Sequence, residues 1–133
     1  MIRVLAAVFL RLHGCAHLLG FLASWQLATF DDIPYTTTIA NGTLDVGDAG
    51  IRIVAFAWIV AGAAMLLAGL LVGRRSAAAV PALWIATVVS LIACVSGLPA
   101  AVIGLAIDLA IVAVLLLAWV RTRRPRVQLV GAR

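Results

Sequence analysis

Four long hydrophobic stretches constrain the fold of this chain more than any other feature. They cover about 4–26, 51–72, 77–97 and 99–120. An α-helix needs about 20 mostly apolar residues to cross the roughly 30 Å hydrocarbon core of a bilayer. Hydrophobic residues make up 65% of the 133 residues, and a soluble domain of this size could not bury that much apolar surface. The sequence therefore predicts an all-α integral membrane protein, an antiparallel bundle of four transmembrane helices in a single membrane domain, 1–133.

The arginines predict how this bundle is oriented. All ten basic residues are Arg, and Arg3, the 74–75 pair and the basic tail 121–133 fall on one side of the predicted spans. The outer loop, 27–50, holds four of the five acidic residues. Basic loops stay in the cytoplasm, so both termini and the 73–76 loop are expected there. The chain lacks Lys and Glu and is rich in Ala, Val, Leu and Gly, a composition typical of GC-rich bacteria. We therefore expect a multi-pass protein of the bacterial cytoplasmic (inner) membrane.

The net charge of +5 is not taken as a sign of nucleic-acid binding. Most arginines flank the predicted spans, including a cluster at Arg121, Arg123, Arg124 and Arg126 directly after the last one. Such clusters fix topology and contact anionic headgroups. No DNA- or RNA-reading motif accompanies the charge.

The outer loop contains a strong turn signal. Residues 35–46 carry β-forming residues on both sides of Asn41-Gly42, a dipeptide typical of two-residue hairpin turns. With this turn, Ile39 is expected opposite Leu44 and Ala40 opposite Thr43. An irregular extracytoplasmic loop is the alternative, because isolated hairpins are marginally stable.

Ionisable residues within predicted spans mark candidate sites, because charges in hydrocarbon are costly. They are Arg11, His13, His17 and Asp108. His13 and His17 are four residues apart and share a helical face. Counting from opposite membrane faces at 1.5 Å per residue brings His17 and Asp108 to within about one turn of each other in depth. The sequence therefore predicts that Asp108 meets His17 where helices one and four are neighbours.

Two interpretations of this group stay open. In the structural one, Asp and His form a hydrogen-bonded pair that locks two helices. In the functional one, Asp108, His17 and His13 are candidate catalytic residues, and Arg11, Trp58 and Trp84 are candidate substrate-binding residues. No metal site is predicted, because two His and one Asp supply only three ligands and the chain has no further His. No cofactor motif is found.

Residues 9–21, with the sequence Phe-Leu-Arg-Leu-His-Gly-Cys-Ala-His-Leu-Leu-Gly-Phe, resemble the first helix of DoxX-like small four-helix bacterial membrane proteins. They resemble even more closely uncharacterised bacterial proteins with a His-Gly-x-x-His-Leu-Leu-Gly-Phe first helix. The resemblance covers about 13 residues and emphasises Arg11, His13, Gly14 and His17. It implies an inner-membrane location and links to membrane redox or detoxification systems.

Two functions are compatible with these features. The first is an accessory or redox-associated membrane subunit, whose partners are other membrane or redox proteins or further copies of the chain. The second is a membrane-embedded isomerase or cyclase that acts on a lipophilic small molecule through the Asp/His pair. The lipid bilayer is a partner in both.

Overall fold

The computed structural model of the protein describes residues 1–123. The rest of the predicted basic tail, including Arg124 and Arg126, lies outside the described residues. The elements, in chain order, are α1 (Ile2–Ser24), β1 (Thr38–Ile39), β2 (Leu44–Asp45), α2 (Gly47–Gly73), α3 (Ala79–Ser96) and α4 (Val102–Arg123). All four helices are long and apolar enough to cross a membrane, as in a multi-pass membrane protein.

The helix ends differ from the predicted spans by a few residues. Helix α2 begins four residues earlier than predicted, which places Asp48 in its first turn, where a carboxylate interacts favourably with the helix dipole. Helix α4 begins three residues later, because 97–101 form the turn after α3. Hydropathy locates lipid-compatible residues and not the ends of backbone hydrogen bonding, so shifts of this size are expected.

Small residues bring the first two helices together. A side chain at Gly14 of α1 would lie 2.9 Å from the carbonyl oxygen of Gly62 in α2. A side chain at Gly69 would lie 2.9 Å from the carbonyl oxygen of Ala7. Close backbone approach of this kind is typical of helix packing in membranes, where dispersion replaces the hydrophobic effect.

Helix α2 is the centre of the bundle. It packs against α1 on one side and α3 on the other, and α4 packs against α3. Met65 of α2 is completely buried with Leu10 of α1 and Ala86 of α3 around it. Neighbouring helices run in opposite directions, whereas α1 and α4 make little backbone contact with each other. The interface between α1 and α4 is therefore the loosest part of the bundle.

The predicted hairpin is present, and Ile39 lies opposite Leu44 as expected. Asn41 and Gly42 have φ of 61° and 78°, the positive values that a type I′ turn requires. The loop is longer than predicted, because Ala40 also has positive φ and leaves the strand. Its N–H donates instead to the carbonyl of Ser96, at 3.1 Å.

A second backbone hydrogen bond joins the hairpin to the bundle. The N–H of Asn41 donates to the carbonyl of Leu98, also at 3.1 Å. Both acceptors belong to the end of α3 and the turn that follows it. The hairpin is thus held over the end of the bundle at which α3 ends and α4 begins.

Candidate functional site

A buried polar network joins three helices in the middle of the bundle. Nε2 of His13 on α1 lies 3.0 Å from Oδ1 of Asp108 on α4. The hydroxyl of Ser90 on α3 donates to Oδ2 of Asp108 at 2.6 Å and lies 2.8 Å from Nε2 of His17. Asp108 and Ser90 are completely buried, and the two histidines are nearly so. This network is the main polar link between α1 and α4 in the part of the chain that the structure describes.

The local sequence explains why these side chains meet. His13 and His17 lie one turn apart on the buried face of α1, and their ring centroids are 5.0 Å apart. Gly104 lets α4 approach closely, since a side chain there would lie 2.9 Å from Sγ of Cys94 and 3.9 Å from Cε1 of His13. Asp108 follows one turn later on α4 and thereby reaches the histidines.

The hydrogen bonds determine where most protons lie. Ser90 has a single hydroxyl proton and gives it to Asp108, so its oxygen accepts from Nε2–H of His17. A neutral His17 therefore carries its lone pair on Nδ1. A single proton lies between Nε2 of His13 and Oδ1 of Asp108, and it can be bonded to either atom. The network thus contains one defined acceptor, Nδ1 of His17, and one exchangeable proton, the one between His13 and Asp108.

The Nδ1 atoms of both histidines reach open space. Neither Nδ1 atom has a hydrogen-bond partner among residues 1–123. In this part of the chain, every side-chain nitrogen or oxygen that is buried does have a partner. An Nδ1 without a partner must therefore be accessible, and both rings line the same cavity. Each imidazole is thus held at Nε2 beside the cavity, and its Nδ1 has no partner among the described residues.

The cavity has a volume of about 270 Å³ and lies between α1 and α4. His13 and His17 form its polar floor, Trp58 and Cys94 contribute to its walls, and residues 33–36, which precede the hairpin, line the end nearest to the hairpin. The remaining walls are mostly apolar. Since a water molecule occupies about 30 Å³ in the liquid, the space equals roughly nine waters. It can hold a small apolar molecule with one polar group.

The indole of Trp58 fits into the cavity wall because two glycines leave space for it. A side chain at Gly20 of α1 would come within 2.5 Å of the indole, and one at Gly97 would also overlap it. The indole therefore fills the space that these glycines leave, and its ring centroid is 5.6 Å from that of His17. Trp58, a candidate substrate-binding residue in the sequence analysis, lines the same cavity as the two histidines.

The predicted contact between Asp108 and His17 is wrong by one helical turn. Asp108 pairs directly with His13 and reaches His17 only through Ser90. Depth counting carries an error of about one turn, 5.4 Å, which is the spacing of the two histidines. Ser90 was missed, although a hydroxyl in the middle of the third span is a signal that sequence inspection can find.

Two predicted binding residues lie elsewhere. Arg11 is directed toward α2, where its side chain packs against Gly69 and Gly73. Trp84 is half-buried on α3. Neither lines the cavity above the histidines.

The segment over the cavity is held by side chains as well as by the hairpin. The Tyr35 hydroxyl donates to Oδ1 of Asp48 at 2.5 Å, and this hydrogen bond raises the pKa of Tyr35 above its ordinary value. The backbone N–H of Gly47 donates to Asp45 and lowers the pKa of that carboxyl. The first contact joins the segment before the hairpin to the first turn of α2, and the second fixes the turn between β2 and α2.

No protein-family model matches this sequence, and no similar curated protein or solved structure is found. Inferences about function therefore rest on the geometry of the cavity and its polar floor.

Proposed function

We propose that this protein binds a lipophilic small molecule in the cavity between α1 and α4 and isomerises or cyclises it by proton transfer. The observation that supports this proposal most is the presence of two imidazole rings, each bound through Nε2, at the floor of an otherwise mostly apolar cavity. A purely structural His–Asp pair would not need a cavity beside it. Apolar pockets with a few convergent polar groups are the usual form of small-molecule sites.

The two histidines have different roles in this proposal. His17 is the base, because its Nε2–H is given to Ser90 and its Nδ1 is free to accept a proton from the ligand. His13 is the acid, because it shares an exchangeable proton with Asp108 and can release one from Nδ1. One proton leaves the ligand at His17 and another is added to it at His13, so the ligand is isomerised without net gain or loss of protons.

Ser90 connects the base, His17, with the acid pair, His13 and Asp108. A proton gained by His17 can pass from Nε2 to the Ser90 oxygen while the Ser90 hydroxyl proton moves to Oδ2 of Asp108. As His13 releases its Nδ1 proton, its Nε2 takes the shared proton from Oδ1 of Asp108, and the transfer through Ser90 replaces that proton at Oδ2. The proton count of the network is then restored with both imidazoles in their other tautomers, and proton exchange with water returns them to the starting tautomers. Ser90 and Asp108 are thus positioning and relay groups, and only the histidines contact the ligand.

The accessory-subunit function remains the second candidate. It is favoured by the complete burial of Asp108, whose two oxygens are both satisfied by partners within the bundle. Membership of the DoxX-like group and an association with redox proteins or further copies of the chain belong to this alternative. It predicts that the cavity holds no specific ligand.

Native mass spectrometry of the protein in mild detergent separates the two functions. We expect the wild-type protein to retain a lipophilic molecule with a hydrogen-bonding group. Ala101→Phe, which fills the cavity, should lose it, whereas Ala106→Phe, on the exposed face of α4, should keep it. Equal retention by both variants, or none by the wild type, would favour the accessory subunit.

The proposal places the protein in the bacterial inner membrane with both termini in the cytoplasm. The arginines at 3, 74 and 75 support this orientation under the positive-inside rule. Reporter fusions after Gly73 should read as cytoplasmic and those within 36–43 as external. A cytoplasmic signal from the 36–43 insertion would reverse the orientation and leave the cavity proposal unaffected.

A further inference from the structure

A second cavity lies directly beyond the first one, on the side away from the hairpin. It has a volume of about 320 Å³ and lies between the first halves of α1 and α3 and the middle of α4. All the residues that line it are apolar, among them Phe9, Leu10, Ile111 and Val114. Ile107 lines both cavities, so the two spaces adjoin at this side chain.

The second cavity opens toward lipid. Phe9 and Val114 at its rim are 48% and 66% exposed, whereas Leu10 and Leu115 inside it are buried. It follows the loose interface between α1 and α4, where little backbone contact holds the two helices together. The stretch of α4 from Ile107 to Leu115 is roughly 12 Å long at 1.5 Å per residue. The space is therefore an apolar groove that follows α4 and adjoins the first cavity at Ile107.

We infer that the ligand is a single-chain amphiphile that enters sideways from the bilayer between α1 and α4. Its polar group lies at His13 and His17, and its hydrocarbon chain passes Ile107 into the second cavity. This inference rests on the proposed function and specifies its substrate class. A chain in this position contacts apolar side chains only, and its polar group donates a hydrogen bond to Nδ1 of His17.

Phe9 lies where the lining of the first cavity gives way to that of the second. Its ring is nearly parallel to that of His13, with an interplanar angle of 8° and a centroid separation of 6.5 Å. The imidazole faces the first cavity and the phenyl ring lines the second. The transition from polar to apolar lining thus takes place within one turn of α1.

Photo-crosslinking with two forms of a long-chain primary alcohol tests the inference. One form carries a diazirine beside the hydroxyl group and the other carries it at the methyl end. The protein is labelled in lipid nanodiscs and the modified residues are identified by peptide mass spectrometry. We expect the first form to label Trp58 or Cys94 and the second to label Phe9, Ile111 or Val114.

Two variants provide the matched control. Val114→Trp fills the second cavity far from the polar network and should abolish labelling by the methyl-end probe while labelling beside the hydroxyl persists. Leu116→Trp adds the same indole at an exposed position that lines neither cavity, and should change neither pattern.

Other outcomes overturn the inference in distinguishable ways. Methyl-end labelling at Trp58, or spread over exposed residues such as Ile53 and Ile85, would show that the chain does not occupy the second cavity, and the proposed function would stand. A stable wild-type dimer whose interface covers Val114 would mean that a second copy fills it. No labelling of either cavity by either probe would overturn the single-chain amphiphile as the ligand, whereas the proposed function itself fails only if the wild-type protein also retains no lipophilic molecule in native mass spectrometry.

Discussion

Replacing Asp108 by asparagine and by alanine should have clearly different effects on stability. Asp108 accepts hydrogen bonds from Ser90 and shares a proton with His13. An asparagine can reproduce both contacts, because its oxygen accepts from Ser90 and its amide donates to Nε2 of a His13 that carries its proton on Nδ1. An alanine can reproduce neither, so the buried Ser90 hydroxyl loses its acceptor and Nε2 of His13 keeps only a 3.4 Å contact with Ser90.

The magnitude follows from the number of hydrogen bonds lost. Interhelical hydrogen bonds in membranes contribute about 0.6 kcal/mol on average and up to about 1.7 kcal/mol. Asp108→Ala loses two of them, so the free energy of unfolding should fall by about 1–3 kcal/mol. Asp108→Asn should stay within about 1 kcal/mol of the wild type, because it keeps both contacts and introduces no charge into hydrocarbon.

Unfolding by SDS titration in mixed micelles measures both variants under the same conditions. Ala106→Ser, at an exposed position of the same helix, controls for a small polar substitution in α4. If Asp108→Asn destabilised the protein as much as Asp108→Ala, the assigned hydrogen bonds would be wrong. If neither variant differed from the wild type, the network would not hold α4 against α1 and α3.

Three further changes test other parts of the structure. Gly20→Ala should displace the Trp58 indole, because the new Cβ would lie within 2.5–2.9 Å of its ring atoms, and a shift in tryptophan emission measures this. Tyr35, the only tyrosine, should ionise above its ordinary pKa of about 10. Its hydrogen bond to Asp48 therefore persists through neutral pH and is lost as the pH rises through the raised pKa. Asp48→Asn should bring the absorbance titration back toward the ordinary value. Gly42→Val should make the outer loop more sensitive to protease, because φ of 78° is strained for a β-branched residue, while the helices stay intact.

The sequence predicted the features that depend on local pattern. Four apolar stretches were enough to locate four helices, since length and hydropathy are properties of one segment at a time. The hairpin register followed from Asn41-Gly42, because a two-residue turn determines which residues face each other. Even here the tertiary contact of Ala40 with Ser96 lengthened the loop.

The details of the site depend on how helices rotate and pack, and the sequence did not determine them. His13 and His17 share a face of α1, so counting residues could not decide which of them meets Asp108. The participation of Ser90 required that α3 present this residue between α1 and α4. Trp58 is part of the cavity wall because it packs into the space beside two glycines from other segments, a contact between residues far apart in the chain.

The central claim is that His17 offers an unprotonated Nδ1 to a ligand in the cavity while its Nε2 stays bound to Ser90. Nitrogen NMR of ¹⁵N-histidine-labelled protein in nanodiscs tests it most directly, with His17→Phe used to assign the signals. We expect His17 to be protonated at Nε2, and the Nδ1 resonance to shift on addition of a long-chain primary alcohol while Nε2 is unchanged. A proton on Nδ1 of His17 in the free protein, or an Nδ1 resonance that does not respond to saturating alcohol, would contradict the account.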